Sequence, residues 1–600
     1  MSEDKKSKSF IYLISKILEK IFSLNQTDYI NDNNIEDINQ CFKVLILDQI
    51  SCKFVSSIIK QNTLTKNKIC LTVNLSDQKQ KINNVMGLYI IYPSKDNLNI
   101  ILNDIKNQIY QNYSINFIEK PNENLFQDFL TNIIQSDSIN KIYNIGVFPI
   151  SIYIYHSHIF DSDFNKSYFL LNKPNLNEDD SNEYFNKISN SLFSCIFSFK
   201  ESPKIYYRKD SISETIINKI QNRFNSSFNT FPELKRQFNK NKTILILLDR
   251  DIDLPIMFHH SASFGSMIND ICGFNNNNLN NTNNNSFIVD PVNDFIWEKN
   301  INEPFYEVGK KTYIQYQKLY EEIKLLNLSN KINENNINEL NKETEKLFQS
   351  INTIDTKKIE RDILNKHAKI YNIINENTNK REIAEIFSIE DLLLKKREEN
   401  SEINNKINEI KNKIKKENAE DILRMCIILY LIYGDKKKDE INNLLKGNYS
   451  IDFINKIFNF LELKKLDKNS SNYEKKEIEN NLTKKYLKKG FNFIKTTITK
   501  MIKSDEPSII SNIIYSIYSN KNIENFSSMQ LNNNIIKEND NIKNIIIYIL
   551  GGGCLAEYEY ICEKMRNNNV NIYYGCDKLY SPKEFLNEII ELSNNIKNNL

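Results

Sequence analysis

The sequence lacks net charge, paired cysteines and any long apolar run. Its 79 Lys and Arg against 76 Asp and Glu leave +3 over 600 residues, so the basic excess of a nucleic-acid binder is missing. Its nine cysteines are scattered with no C-x-x-C pair, which excludes zinc ribbons and disulfide scaffolds and fits a reducing cytosol. The longest apolar stretch, Met425 to Tyr433, is too short to cross a bilayer. Ser9 to Leu24 is apolar but carries Lys16, Glu19 and Lys20, so it reads as an amphipathic helix and not a signal-peptide core. The expected protein is soluble, with peripheral membrane contact only. Glycine and alanine are scarce, and the first strand leads into Asp48-Gln49-Ile50-Ser51, with no G-x-G-x-x-G. A Rossmann nucleotide site is therefore not expected there.

Asn, Lys and Ile dominate instead, and 600 residues at 40% hydrophobic content support three or four domains. Lys43–Leu47, Ile69–Leu75 and Gly87–Tyr92 read as strands in a βαβ pattern, which predicts an α/β first unit ending near 144. Ser151–Tyr155 and Ser191–Phe199 read as strands of a second α/β unit. The tract Asn275–Asn285 is low complexity and reads as a surface loop. The single tryptophan, Trp297, reads as a packing anchor. From Pro304 the pattern turns helical. Tyr316, Leu319, Tyr320, Ile323 and Leu326, then Leu347, Phe348, Ile351, Ile359, Ile363, His367, Ile370 and Ile374, predict two long helices in a projecting hairpin over about 304–375. His367 has no second His or Cys within a turn and reads as a helix-face residue. Lys395–Lys416 reads as solvated helix or linker, Ile422–Tyr433 as a buried helix, and Lys464–Lys489 as a flexible excursion.

The centre of the chain is Lys242 to Gly273. Ile244–Leu248 is apolar on both faces and predicts a buried parallel strand. It ends in Asp249-Arg250-Asp251-Ile252-Asp253, at the sheet edge where open α/β folds keep their sites. Helical spacing of Phe264, Met267, Ile268 and Ile271 follows. Three chemistries fit these residues. Asp249, Asp251, Asp253, His259 and His260 could ligate a metal, although Leu254 and His260 occupy the places where a calcium loop needs Gly and Glu. One Asp could serve phosphotransfer. In the third reading Asp249 and Asp253 cap turns or pair with Arg250.

The C-terminus offers a rival enzyme reading. Asn544–Leu550 predicts a buried strand, and Gly551-Gly552-Gly553-Cys554-Leu555-Ala556 satisfies G-x-G-x-x-A, with a second strand at Asn571–Tyr574 and Asp577 near ribose-binding spacing. Against a nucleotide, Glu557 and Glu559 place negative charge where phosphates would sit.

The same stretches carry a family resemblance. LLDRDIDLPIMFHHSASFGSMINDICG resembles the signature of the Sec-one/Munc-eighteen (SM) family, with its LDR-x-x-DL strand end, His-containing turn and aromatic-bearing helix. YIIYPSKDNLNIILNDIKNQIYQNYSINFIE is similar to the ER–Golgi (Sly-one) branch of that family, and IYILGGGCLAEYEYI with IYYGCDKLYSPKEFLNEI resembles the family C-terminus. The resemblance covers most of the chain in order, with gaps at the Asn- and Lys-rich inserts. It implies an arch-shaped fold of two α/β domains with mainly parallel sheets and a large, mostly helical third domain. The implied division is 1–144 (domain 1), 145–252 with 491–600 (domain 2), and 253–490 (domain 3). It implies a syntaxin N-peptide groove at Leu102, Ile105, Lys106, Ile115 and Phe117, and an architectural role for Asp249, Arg250, Asp253, Gly551, Gly552 and Gly553. It implies no catalysis, cofactor or metal. The implied partners are a syntaxin-type Qa-SNARE and assembling SNARE helices, with tethering factors as further candidates. The implied protein is a cytoplasmic monomer held peripherally at ER, Golgi and vesicle membranes and promoting SNARE assembly. The alternatives are a nucleotide-dependent enzyme and an α/β scaffold for other partners.

Overall fold

The computed structural model describes residues 9–24, 41–173, 176–209, 211–230, 238, 242–275, 278–279, 287–329, 340–396, 401–466, 508–521, 523, 526–531 and 542–595. Most of the Asn275–Asn285 tract and nearly all of Lys464–Lys489 lie outside the described residues, as do the side chains of Ile323, Leu326, Leu347, Phe348 and Ile351.

Helix α1 (Phe10–Phe22) is the amphipathic helix the N-terminal pattern predicts. Ser9 caps it by accepting the Tyr12 N–H, and Phe10, Ile14, Ile17, Leu18, Ile21 and Phe22 are buried. Its place is between two sheets. Phe10 stacks on Phe160 of the second sheet at 5.0 Å. Lys43 of the first sheet donates to the Phe22 carbonyl at 2.9 Å.

The first sheet contains β1 (Phe42–Leu47), β2 (Ile69–Asn74), β3 (Val85–Ile91), β4 (Asn112–Phe117) and β5 (Ile142–Val147), all parallel, in the order β2-β1-β3-β4-β5. Strands β1 and β3 are covered on both faces, which is why they read as unbroken apolar runs. Val44, Ile46, Tyr89 and Ile91 form one core with helices α2 (Lys95–Lys106) and α3 (Glu123–Gln135). Leu45, Leu47, Leu88 and Ile90 face the larger core that contains α1.

The second sheet combines chain from both halves. Strands β6 (Tyr153–His156), β7 (Ile159–Asp161), β8 (Lys204–Arg208) and β9 (Thr243–Asp249) precede a small antiparallel sheet, β10 to β12 (Phe274–Asn275, Asn278–Leu279, Phe287–Ile288). Strands β13 (Phe526–Gln530), β14 (Asn544–Leu550) and β15 (Asn571–Cys576) come after the helical region, and the order is β13-β8-β9-β14-β15-β7-β6. The central pair is β9 with β14, in parallel register from Thr243↔Asn544 to Asp249↔Leu550. The run Ser191–Phe199, expected as a strand, is instead the last part of helix α4 (Glu178–Phe199). Two of its buried serines bond back to their own helix: Ser194 and Ser198 donate to the carbonyls of Asn190 and Ser194 at 2.9 and 2.8 Å. The alternation of Ser with apolar residues therefore mimicked a strand.

Helices α5 (Ile212–Thr230) and α6 (Phe264–Ile271) lead into the helical region. There α7 (Phe305–Ser329) and the 42-residue α8 (Leu340–Arg381) lie against one another. Helix α9 (Ile383–Lys396) starts after Glu382, whose φ of 54° breaks the helix. Helix α10 (Ser401–Lys411) corrects the solvated reading of Lys395–Lys416, because Ile403, Ile407 and Ile410 are buried on it. Helix α11 (Ala419–Tyr433) is buried along most of its length. Helix α12 (Ile509–Tyr518) and helix α13 (Leu555–Met565) return the chain to the second sheet. No helix is long and apolar enough to cross a membrane among the described residues.

Candidate partner-binding surfaces

Helix α2 begins at Ser94, which accepts the Asn97 N–H, and ends with Lys106 in its last turn. Leu98, Ile101, Leu102 and Ile105 are buried with Ile115 and Phe117 of β4 in one core. Leu102 is 7% exposed and Ile105, Ile115 and Phe117 are 0% exposed. Only Lys106, of the five groove residues expected from sequence, reaches solvent. Asp104, on the buried face of the same helix, accepts the Tyr89 hydroxyl at 2.9 Å and meets Lys79 at 2.9 Å.

The accessible apolar surface on this side lies one element further out. Leu125, Phe126 and Leu130 of α3 and Ile142 and Ile145 of β5 are half-buried and pack on the same core. Around them Ile134, Ile139 and Val147 are exposed. Strand β5 is the last of the sheet, so its outer backbone edge carries no ladder among the described residues. A register shift in β5, where Tyr113 pairs with Ile142 and Ser114 with Asn144, brings Ile142 and Ile145 onto one face, which strict alternation in the sequence does not show.

The strand-end residues form a joint. Arg250 is buried and donates to both oxygens of Glu557, at 2.7 and 3.1 Å, and to the Asp253 carbonyl at 2.6 Å. Its acidic partner is thus Glu557 of α13, in place of the Asp249 or Asp253 side chain. Burial lowers the Arg250 pKa, and Glu557 together with Tyr574 and Cys554 raises it, with a net rise. Asp249 accepts from the Ser213 hydroxyl at 3.1 Å and lies 3.7 Å from Arg208. Asp253 accepts the Ile509 N–H at 2.8 Å, at the start of α12. His260 turns away to Glu390 and Asp421. The carboxylates and histidines therefore diverge, and no metal-binding group of three exists among the described residues.

The glycine turn after β14 is filled by protein. A Cβ on Gly552 would lie 2.2 Å from the Tyr580 ring, and one on Gly553 2.2 Å from the Tyr574 hydroxyl. Gly551 and Gly552 have φ of 88° and 102°, which only glycine adopts readily. Asp577 accepts the Gly551 N–H at 2.7 Å and the Tyr184 hydroxyl at 2.6 Å, and burial pushes it up to about 7. The nearby cavity of about 30 Å³, lined by Tyr168, Arg208, Asp249 and Gly551 among others, is far below the roughly 300 Å³ of a ligand pocket. Nothing here can cradle a dinucleotide.

The hairpin presents a third surface. Tyr306, Tyr313 and Tyr320 recur every seven residues on α7 and are 66%, 63% and 64% exposed. Phe305 and Gly309 face the other way: Phe305 stacks on Tyr371 of α8 at 4.5 Å, and a Cβ on Gly309 would enter the Tyr371 ring. His367 is a buried base contact of the hairpin, 2.7 Å from Asp294.

A family model described as the Sec1 family matches residues 43–588. The chain is 24% identical over 656 residues to Protein SLY1 of Saccharomyces cerevisiae, covering 98% of this chain and 97% of that protein. The fold is similar to Sly1p crystallised with an N-terminal peptide of Sed5p, with a TM-score of 0.75, 21% identity and 98% and 99% of the two chains covered. It is also similar to the Unc18–syntaxin 1 complex from Monosiga brevicollis, with a TM-score of 0.71, 13% identity and 98% and 100% coverage.

Proposed function

The chain belongs to the Sec1 family, and from that premise we propose that it binds a syntaxin-type Qa-SNARE and promotes SNARE assembly in ER–Golgi transport. The observation that carries this reading is the exposed tyrosine column of α7, on a face the hairpin does not use for its own packing. Its seven-residue spacing matches the repeat of a helical SNARE bundle, so one partner helix can run along it. In this reading the α3–β5 face binds the N-terminal peptide of the syntaxin. Phe126, Leu130 and Ile145 meet the peptide, the buried Leu102, Ile105, Ile115 and Phe117 support them from beneath, and Lys106 is a charged neighbour. A peptide tethered there raises the local concentration of the attached SNARE helix at the hairpin. The work is non-catalytic, and the protein acts from the cytoplasm, peripherally on ER, Golgi and vesicle membranes through its partners.

We assign residues 1–147, through the end of β5, to the peptide-binding unit, 148–252 and 491–600 to the second α/β unit, and 253–490 to the unit that carries the hairpin. The deciding experiment is calorimetric titration of the full chain with the N-terminal peptide of the organism's own Golgi syntaxin, beside an Ile134→Lys variant. Saturable binding weakened about tenfold in the variant supports the reading. Equal binding by both moves the peptide off the α3–β5 face, and no binding by the parent chain removes the peptide mode.

A further inference from the structure

At the root of the hairpin five elements bring their charges into one buried cluster. Arg381, the last residue of α8, donates to both oxygens of Asp421 on α11, at 2.9 and 2.5 Å, and to Asp270 of α6 at 3.4 Å. Arg424 of α11 grips Asp270 through two bonds of 2.9 Å and the Phe258 carbonyl at 3.0 Å. Glu390 of α9 accepts the His260 backbone N–H at 2.8 Å. The His260 ring lies between them. Its Nδ1 is 3.0 Å from both Glu390 oxygens, and its Nε2 is 3.1 Å from Asp421 and 3.9 Å from Asp270.

Carboxylate oxygens only accept, so both ring nitrogens of His260 must carry protons, which is the imidazolium form. The charge balance agrees. Asp270, Glu390 and Asp421 are three carboxylates, Arg381 and Arg424 two guanidiniums, and His260 supplies the missing cation. The neighbouring His259 differs, with Nδ1 3.2 Å from Glu390 and Nε2 2.8 Å from the Tyr560 hydroxyl, a pattern that one ring proton satisfies. Glu420 also acts on Arg381 and meets Lys583 at 3.5 Å, and Tyr449 faces Asp421.

We propose that His260 is a positioning residue: a permanent buried cation that neutralises the joint of α6, α9 and α11 and thereby fixes the root of α8. The pKa directions support this. Burial and Arg424 push His260 down, Glu390 and Asp421 push it up further, and the balance lies at about 9. Burial raises Asp270 and Glu390, but Arg424 and His260 respectively bring each to about 2. The helix break at Glu382 separates α8 from α9, and the joint holds Arg381 on one side of it and Glu390 on the other. Its consequence for SNARE binding rests on the hairpin reading above, so the test is made without any SNARE.

The chain has five histidines, so selective ¹³C labelling of the His ring in the full-length protein gives five signals. The signal lost in His260→Gln should titrate near pH 9, and a midpoint at or below 7 overturns the proposal. In hydrogen exchange, amides of residues 376–392 should exchange about tenfold faster in His260→Gln. The His260→Gln/Glu390→Gln pair, which restores neutrality, should return them to near the parent rate. Unchanged exchange in the single variant, or no rescue in the double, overturns the positioning role. A failure to bind SNARE helices with these two results intact would sink the hairpin reading alone.

Discussion

Arg250 and Glu557 form a bidentate ion pair of 2.7 and 3.1 Å although 307 residues separate them, and both are at most 1% exposed. The pair joins the end of β9 to the first turns of α13, across the central strands of a sheet built from both halves of the chain. Removing one partner leaves a buried charge, so Glu557→Leu should lower the denaturation midpoint by the equivalent of about 3–5 kcal/mol. Replacing both, as Arg250→Met with Glu557→Leu, should recover much of that loss. Equal loss in the single and double variants would show that packing rather than charge holds the joint.

The glycine turn beside it makes a second prediction. Gly553→Ala forces its Cβ against the Tyr574 hydroxyl, which itself donates to Glu557 at 2.6 Å. Such overpacking costs about 1–3 kcal/mol, read by chemical denaturation. Neither the parent nor the variant should bind nucleotide in calorimetry, because the space a pyrophosphate needs is occupied by Tyr580 and Tyr574.

The buried charge cluster fixes a pH window. His260 has a folded pKa raised from 6.5 to about 9, so its contribution is full below pH 6.5 and fades as pH rises to about 9. Linkage puts this at on the order of 3 kcal/mol. Asp270 and Glu390 are held down at about 2, from 3.8 and 4.5, so their contribution is present above pH 4.5 and lost as pH falls to about 2. Denaturation midpoints measured from pH 6.5 to 9.5 should decline, and decline less in His260→Gln. A flat profile in the parent would remove the effect.

Much of this architecture was legible in sequence because its central strands are buried on both faces. Ile244–Leu248 and Asn544–Leu550 announce themselves as near-continuous apolar runs rich in Ile, and their ends mark the joint. Their partnership is not legible, because register between segments some 300 residues apart leaves no local pattern. Ser191–Phe199 misled because serines that bond back to their own helix look, in sequence, like the polar side of a strand. Leu102, Ile105, Ile115 and Phe117 were recognisable as apolar, yet periodicity cannot tell a core face from a groove. The distinction came from α3 and β5 packing over them. Tyr316 and Tyr320 were read as helix spacing. The exposed column that Tyr320 forms with Tyr306 and Tyr313 emerged only when Gly309 and Phe305 were seen to face α8.

That burial separates two substitutions that sequence alone would treat alike. Leu102→Lys places a charge in the core of the first sheet and should unfold that unit at a cost of several kcal/mol, abolishing peptide binding together with thermal cooperativity. Val147→Lys, on an exposed β5 residue, should leave the melting temperature unchanged and weaken the syntaxin N-peptide by about tenfold. Peptide binding unaffected by Val147→Lys would place the peptide elsewhere on the chain.

The tyrosine column separates binding from stability most cleanly. Tyr313 and Tyr320 are more than 60% exposed, and exposed substitutions usually shift stability by less than about 0.5 kcal/mol. Tyr313→Ala with Tyr320→Ala should therefore melt like the parent and bind the N-terminal peptide equally well. The same variant should lose the acceleration of SNARE assembly in a fusion or zippering assay, because two contact layers of the seam are gone. Leu319 is the control on the inner face of the same helix, at 4% exposed, and Leu319→Ala should cost about 2–5 kcal/mol of stability. If the double tyrosine variant assembles SNAREs at the parent rate, the helix-binding surface does not lie on α7.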